Sequence, residues 1–421
     1  MYQVSRLENG LTILSATMPH MASVSVGIWV GVGGRHEPAR LNGISHFIEH
    51  LLFKGTRRRN AAQISQAVEG IGGNLNAFTD EEHTCFYARA QHRYLPQLLD
   101  VLLDMFLNSK LDPTEIAKER TVIRDEISMY LDQPSEHVQD LLNALQFPRH
   151  PLGRPVIGTP RTLKAMKRQD FLDYQKTHYV SGSTLIVAAG RLDHEDLVRQ
   201  IRKHSRAFRK GPAPGCEPAP EAPKQPRLRL LHKDTEQTHF SLGIRTCSRR
   251  DPRRYALRLL NVILGENMSS RLFQVIREEN GLTYNIHSSS SFWDDCGDVV
   301  ISAGLDTDEL ERTLKLIRRE LVRLQEKAPR REELTRARDY LIGQHELQLE
   351  GTEPHMMLLG EHWLGFGSLP NDTEVKAKLA AVIPDDIRAA ARDYFQPSRF
   401  SLALISPRKR SDDLLSVLGH H

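Results

Sequence analysis

A proline-rich stretch near the middle of the chain, Lys210–Gln225, divides two halves in which the same succession of strand and helix signals occurs twice. The stretch carries no apolar period, and its prolines favour a semi-rigid linker. Before it, apolar and polar residues alternate over Tyr2–Leu7 and Leu11–Ser15, flanking Asn9-Gly10, a strong hairpin turn signal. Further strands are predicted at Ser23–Gly31, Asn74–Thr79, His83–Arg89 and Ser183–Ala189. Helical periods cover Gly43–Phe53, Ala61–Ile71, about Tyr94–Leu107 and Pro113–Gln146. After the linker come strands at Arg227–Leu231, Phe240–Ile244, Thr283–Ser290 and Asp298–Ala303. Helices are predicted at Tyr255–Leu264 and Arg271–Glu279, followed by two long helical patterns up to about Leu364. Each half closes alike, with Tyr179 before the apolar run at Thr184 and Tyr394 before the run at Phe400. This is a duplication of about 200 residues rather than a short solenoid repeat. Strands and helices mix without strict βαβ alternation. The expectation is therefore two α+β domains, each with helices against a largely antiparallel sheet. They span residues 1–209 and 227–421, with the linker at 210–226.

Composition narrows the function classes. With 57 basic and 53 acidic residues the formal net charge is only +4, and the basic residues are scattered. A dedicated nucleic-acid binder normally shows a clustered basic face. The compact run Arg57-Arg58-Arg59 reads as a solvated turn. The apolar stretches fall far short of the roughly 18 residues that span a bilayer, and the N-terminus lacks the pattern of a signal peptide. The four cysteines, Cys85, Cys216, Cys247 and Cys296, are far apart and form no CxxC pair. That excludes a zinc ribbon and argues against a disulfide scaffold, so a reducing, cytoplasmic location is expected. The terminal Gly419-His420-His421 is assigned no function.

His46-Phe47-Ile48-Glu49-His50 carries the chemistry. Two histidines four apart on a helix share a face about 6 Å apart, which suits two imidazoles on one zinc ion. Glu49 lies beside that face and is placed to accept a proton from a water at the metal. The order HxxEH is the inverse of HExxH. Ile44, Phe47, Ile48, Leu51 and Leu52 make the helix apolar nearly all round, so it is buried, and buried polar groups need partners. A catalytic zinc takes a third protein ligand. On the Pro113–Gln146 helix, Glu119 and Glu126 fall roughly 50° and 70° from the centre of the apolar face, whereas Asp125 points nearly opposite. The two glutamates are about 10 Å apart along the axis, so both cannot easily bind one ion, and periodicity does not choose between them.

The segments HFIEHLLFKGT, GGNLNAFT and ERTVIRDEI, with HPLGRPVIGT, Met268-Ser269-Ser270-Arg271-Leu272-Phe273 and the duplicated halves, resemble the pitrilysin and mitochondrial-processing-peptidase family of zinc peptidases. The resemblance covers nearly the whole chain and implies a zinc metalloendopeptidase acting on peptides or unfolded segments. It places the third ligand 76 residues after the second histidine, at Glu126, and a supporting glutamate seven residues earlier, at Glu119. It makes His46, His50 and Glu126 the metal ligands and Glu49 the general base. It implies that Asn74, Asn76, Ala77, Phe78 and Thr79 form a sheet edge to which a substrate peptide adds as a strand. It also implies that Glu136 and Asp140 hold a basic side chain near the scissile bond, although Pro134 predicts a kink in their helix.

In the second half the helix equivalent to the HxxEH helix reads Leu259-Leu260-Asn261-Val262-Ile263, without a metal ligand, so one zinc per chain is expected. Arg277 and Tyr284 match the arginine–tyrosine pair with which the family contacts substrate near the scissile carbonyl, where they can stabilise oxyanion charge. Longer family members join four such domains, so the resemblance implies a homodimer or a heterodimer with a homologous chain. A rival reading is a catalytically inactive member acting as a structural or substrate-presenting partner. The intact HxxEH and Glu126 argue against it. A hydrolase of non-peptide substrates is a second rival, which the edge-strand signature disfavours.

Overall fold

The computed structural model describes residues 2–411 and 414–419, so His420 and His421 lie outside the described residues. Each half of the chain builds one sheet. The first has six strands, β1 Tyr2–Arg6, β2 Thr12–Thr17, β3 Ser23–Val30, β4 Asn74–Thr79, β5 Thr84–Gln91 and β6 Thr184–Gly190, in the order β1-β2-β6-β3-β5-β4. Only β2 and β6 run parallel. The predicted turn closes β1 on β2 in the register Tyr2↔Ala16 to Arg6↔Thr12, with Gly10 at φ 93°, where a side chain would be strained.

Side-chain alternation gives this sheet two buried faces. Val24, Val26, Ile28 and Val30 of β3 point into a core shared with the helices α1 Ile44–Leu52, α2 Ala61–Glu69, α3 Leu95–Asn108 and α4 Pro113–Leu131. Trp29 and Cys85 point to the opposite face, with Leu14, Leu185 and Val187. The Arg57–Arg59 run is not merely solvated. Arg58 pairs with Asp100 at 2.8 Å, and Arg59 pairs with Asp104 at 2.7 Å, pinning the turn to α3.

The predicted continuous helix over Pro113–Gln146 is two helices. The chain leaves α4 at Leu131 and starts α5 (Pro134–Gln146) at Pro134. A proline lacks the N–H that the first turn leaves unused, so it initiates here rather than kinking an ongoing helix. Four more helices follow in chain order: α6 Pro160–Ala165, α7 Arg168–His178 and α8 His194–Arg202 in the first half, then α9 Arg254–Asn261 in the second.

The second sheet has five strands, β7 Arg227–His232, β8 Thr238–Thr246, β9 Thr283–Phe292, β10 Gly297–Leu305 and β11 Phe400–Ser406, in the order β7-β11-β8-β10-β9. It too is antiparallel except for one pair, β11 and β7. Its helical layer includes α9, α10 Leu310–Glu326 and α11 Arg331–Gln348. The helix expected at Arg271–Glu279 contains a π-helical turn, Phe273–Glu278. So the two mixed sheets packed against helices have the α+β architecture read from the sequence.

Packing does not follow the linear division at 209 and 227. The chain forms two compact units. One comprises Met1–Ser128, Arg154–Glu217 and Glu346–Pro370; the other comprises Met129–Gly153, Pro218–His345 and Asn371–His421. α5, from the first half, lays Val138, Leu141 and Leu142 on Val300, Ala403 and Ile405 of the second sheet. α12 (Thr352–Phe366), from the second half, lays Met356 and Leu359 on Trp29 of the first sheet. There the Trp29 indole N–H donates to Met356 Sδ at 3.2 Å. Among the described residues no helix is long and apolar enough to cross a membrane.

Candidate metal centre

The HxxEH segment is α1, and its first turn is held from outside. Gly43 precedes it at φ 93°, and a Cβ there would lie 2.7 Å from Gly158 Cα, so only glycine fits. The Glu37 carboxylate, buried nearby, accepts hydrogen bonds from the amides of Gly43 (2.7 Å) and Ser45 (2.8 Å) and from Asn42 Nδ2 (3.2 Å). It does for this helix what an N-cap side chain does elsewhere. Phe47, Ile48, Leu51 and Leu52 then anchor the helix in the core. His46 and His50 are left on the remaining face, with ring centroids 4.7 Å apart.

α4 runs past that face and supplies both glutamates. Glu126 places its two carboxylate oxygens 4.0 Å from His46 Nε2 and 3.7 Å from His50 Nε2. Glu119 is buried and instead meets His50 Nδ1 at 3.1 Å and Lys54 Nζ at 2.8 Å. Accepting from Nδ1–H fixes the His50 tautomer and leaves the Nε2 lone pair facing Glu126. The structure thus separates two residues that periodicity could not. Lys54, one turn after His50, was not singled out by sequence reasoning, although it lies within the HLLFKGT segment. Glu37 was also missed; only its carboxylate six residues before a helix-starting glycine hinted at a cap.

The donor set fits zinc. One ligand atom each from His46, His50 and Glu126 lies within 4.8 Å of the others. Two imidazoles and one carboxylate leave one of four positions open, as catalytic zinc sites do. Bonds of ~2.1 Å set tetrahedral donors ~3.4 Å apart, so the observed 3.7 and 4.0 Å need only small side-chain shifts. Burial, helped by His50, lowers the His46 pKa to about 4, so this imidazole is neutral, the form that binds metal.

Glu49 immediately precedes His50 on α1. Its Oε2 accepts a hydrogen bond from Thr79 Oγ1 at 2.5 Å, and burial raises its pKa above the ordinary carboxylate value. Thr79 ends β4, the edge strand, which is paired on one side only, from Asn74↔Arg89 to Thr79↔Thr84. Phe78 packs edge-on against Trp29 at 5.6 Å. Gly72, at φ 71°, turns the chain into this strand. The Ala77 amide donates to its neighbour's Asn76 Oδ1 at 2.9 Å. The metal-ligand cluster, the base candidate and a free strand edge therefore meet in one unit.

The remaining predicted residues belong to the other unit. The Arg277 guanidinium lies 4.8 Å over the Tyr284 ring and 4.6 Å over Phe273, and Tyr284 is 82% exposed at the start of β9. Glu136 and Asp140 are on α5, outside the cluster of metal donors, because the chain turns at Gln133 and sends α5 to the second sheet. Asp140 is largely buried, which raises its pKa to about 6. Beside edge strand β9 stands Asn261, which donates to Glu266 Oε2 at 2.7 Å and is joined there by Arg258. This network has no metal-ligating triad among the described residues.

Residues 12–160 match the family described as insulinase (peptidase family M16), and residues 165–341 match the peptidase M16 inactive domain. An uncharacterized zinc protease of Streptomyces coelicolor is 40% identical over 96% of this chain and 89% of its own length. The chain belongs to peptidase family M16. An uncharacterized zinc protease of Bacillus subtilis is 36% identical over 95% of this chain and 97% of its own length. Among solved structures, a protease from Helicobacter pylori superposes with a TM-score of 0.91 at 20% identity, covering 97% of this chain and 99% of that one. A peptidase M16 inactive domain from Pseudomonas fluorescens superposes with a TM-score of 0.89 at 19% identity, covering 98% and 99%. These two likenesses bear on the fold. The M16 relatives named zinc proteases support a peptidase with zinc chemistry, and the segment matched by the inactive-domain model, residues 165–341, contains none of the three donors.

Proposed function

We propose that this M16 chain is a zinc-dependent endopeptidase that cleaves peptides or unfolded polypeptide segments. The observation that carries this reading is the convergence of His46, His50 and Glu126 beside Glu49 and the free edge of β4. One zinc per chain, held by those three residues, supplies Lewis acidity to the site. A peptide pairs with β4 as an added strand, displacing the Asn76 side chain from the Ala77 amide, so affinity comes from backbone pairing and tolerates varied sequence. Glu49 takes a proton from the attacking water and delivers it to the leaving amine. Its burial, which raises its pKa, suits a group that must hold a proton and then release it. Glu119 acts through His50 by holding its ring. Purified protein should carry about one zinc per chain. Glu49→Gln should keep zinc and lose turnover of a quenched peptide, while His50→Ala should lose zinc. Near-parental hydrolysis by Glu49→Gln would end this reading.

The active form we propose is a dimer, of two copies or with a homologous chain. Arg277 and Tyr284 of one subunit then serve the metal site of the other, and Glu136 and Asp140 receive a basic side chain of the substrate. The stacked, exposed Arg277/Tyr284 pair supports this, because a guanidinium and a phenol held together and open to solvent are available to a developing oxyanion. Complementation tests it. Glu49→Gln and the double variant Arg277→Ala/Tyr284→Phe should each be inactive alone. Mixed dimers have one intact site if sites are shared, so activity should return toward half. Absence of recovery in verified mixed dimers refutes sharing. The setting we propose is cytoplasmic, because the four cysteines are far apart in the sequence and form no CxxC pair.

A further inference from the structure

We propose that the face of the first unit formed by the β1–β2 turn and the end of α8 is a binding site for a compact oligophosphate, such as a nucleoside triphosphate or inorganic tripolyphosphate. A cavity of about 1020 Å³ opens there, and Arg6, Arg202, Lys203, Arg206 and Lys210 line it against a single acid, Glu8. The pocket thus concentrates as much positive charge as the whole chain carries in net, +4. None of the five cations forms an ion pair among the described residues. Arg6 instead rests 5.5 Å over the ring of Trp363.

Helix-dipole compensation explains only part of this. Cations near the C-terminus of α8 are favoured by its dipole, which covers Arg202 and Lys203. Arg6 comes from a strand, and Arg206 and Lys210 come from beyond the helix, so their convergence needs another account. Like charges gathered in a concavity raise the local potential and attract anions. The walls are also braced. Asn9 Nδ2 donates to Ser205 O at 2.8 Å, joining the hairpin turn to the segment after α8, and Ser205 Oγ donates to Arg202 O at 2.8 Å. Phe208 beneath them is buried and packs 5.8 Å from Phe106. The cavity's concavity and size suit a discrete multivalent anion rather than a flat lipid surface.

The site is separate from the metal centre. β1 and β4 are opposite edges of one six-stranded sheet, and five strand spacings place them about 24 Å apart. No residue of the metal centre lines the cavity.

Calorimetric titration of the full-length, zinc-loaded protein with sodium tripolyphosphate tests the proposal. Binding is expected, falling steeply between about 50 and 200 mM salt, with orthophosphate at least about ten-fold weaker. Arg202→Gln/Arg206→Gln should weaken tripolyphosphate binding about 100-fold, at roughly ten-fold for each charge-assisted hydrogen-bonding group removed. Peptide hydrolysis without the anion should be unchanged in that variant, which also shows that it is folded. An unchanged heat in the double variant means that the anion is acting on the zinc or elsewhere, and overturns the site. Binding of a single-stranded RNA oligonucleotide that is tighter than tripolyphosphate, and abolished in the double variant, overturns the ligand class.

Discussion

Replacing Glu37 by alanine asks whether the metal helix depends on a cap supplied from outside it. Glu37 is 2% exposed, and its carboxylate takes hydrogen bonds from the Gly43 and Ser45 amides and the Asn42 side chain. In the alanine variant the Gly43 and Ser45 amides lose this acceptor in a buried setting, while Asn42 Nδ2 keeps its hydrogen bond to Pro155 O at 2.9 Å. An orphaned buried donor costs ~1–3 kcal/mol, and loss of an N-cap costs ~0.5–2 kcal/mol. In the opposite direction, burial disfavours the carboxylate and pushes its pKa up to about 7, so its removal recovers part of that cost. The net expectation is a loss of about 2 kcal/mol in stability. Ser45 adjoins His46, so a loosened first turn also lets the ligand ring wander, and zinc affinity should fall about 10- to 100-fold, as when an outer partner of a metal ligand is removed. Urea unfolding gives the first quantity, and competition with a chromophoric chelator gives the second. A variant that is less stable yet holds zinc as tightly as the parent refutes the coupling. A variant unchanged in both refutes the cap.

Two further outcomes are expected. Glu119→Gln removes the charge that meets both His50 Nδ1 and Lys54, and should weaken zinc binding about ten-fold by the same competition assay while leaving Glu126 in place. Burial raises the Asp140 pKa to about 6, so this carboxyl carries its charge only above that pH. If it receives a basic substrate side chain, preference for arginine over a neutral residue near the cut should strengthen as pH rises through 6. Asp140→Asn should flatten that dependence, as read from matched peptide pairs.

Much of the site was legible because metal chemistry constrains spacing. Two imidazoles on one ion need the i,i+4 relation of His46 and His50, and that relation survives any tertiary context. Glu119 and Glu126 differ less in sequence, since both border the same apolar face of α4. What separates them is what they meet: two Nε2 atoms for Glu126, and Nδ1 with Lys54 for Glu119. Periodicity also reports which side of a helix is apolar without naming the surface it covers. Val138, Leu141 and Leu142 of α5 fit either sheet on that criterion, so the placement of Glu136 and Asp140 with the second sheet was not readable. Pro134 compounded this, since a kink and a fresh start leave the same mark in a sequence. The Arg57–Arg59 run looked solvated because its partners, Asp100 and Asp104, lie about forty residues away on α3.

The exchange of α5 and α12 bears on how the protein is made. The Trp29 face of the first sheet is complete only when Met356 and Leu359 arrive. A ribosome adds about 5–20 residues per second, so that face waits about 8–30 seconds after residue 209 is synthesised. During this interval Leu14, Trp29, Cys85 and Val187 lack the Met356 and Leu359 side chains that pack on them in the finished fold. Gene fragments cut at the proline-rich linker would make the wait permanent, leaving each piece with a bare sheet face and a helix that belongs on the other piece. The linker is thus a boundary in the sequence but not a place where the newborn protein can be divided, and a chaperone that shields apolar strands would have its main task in the first half.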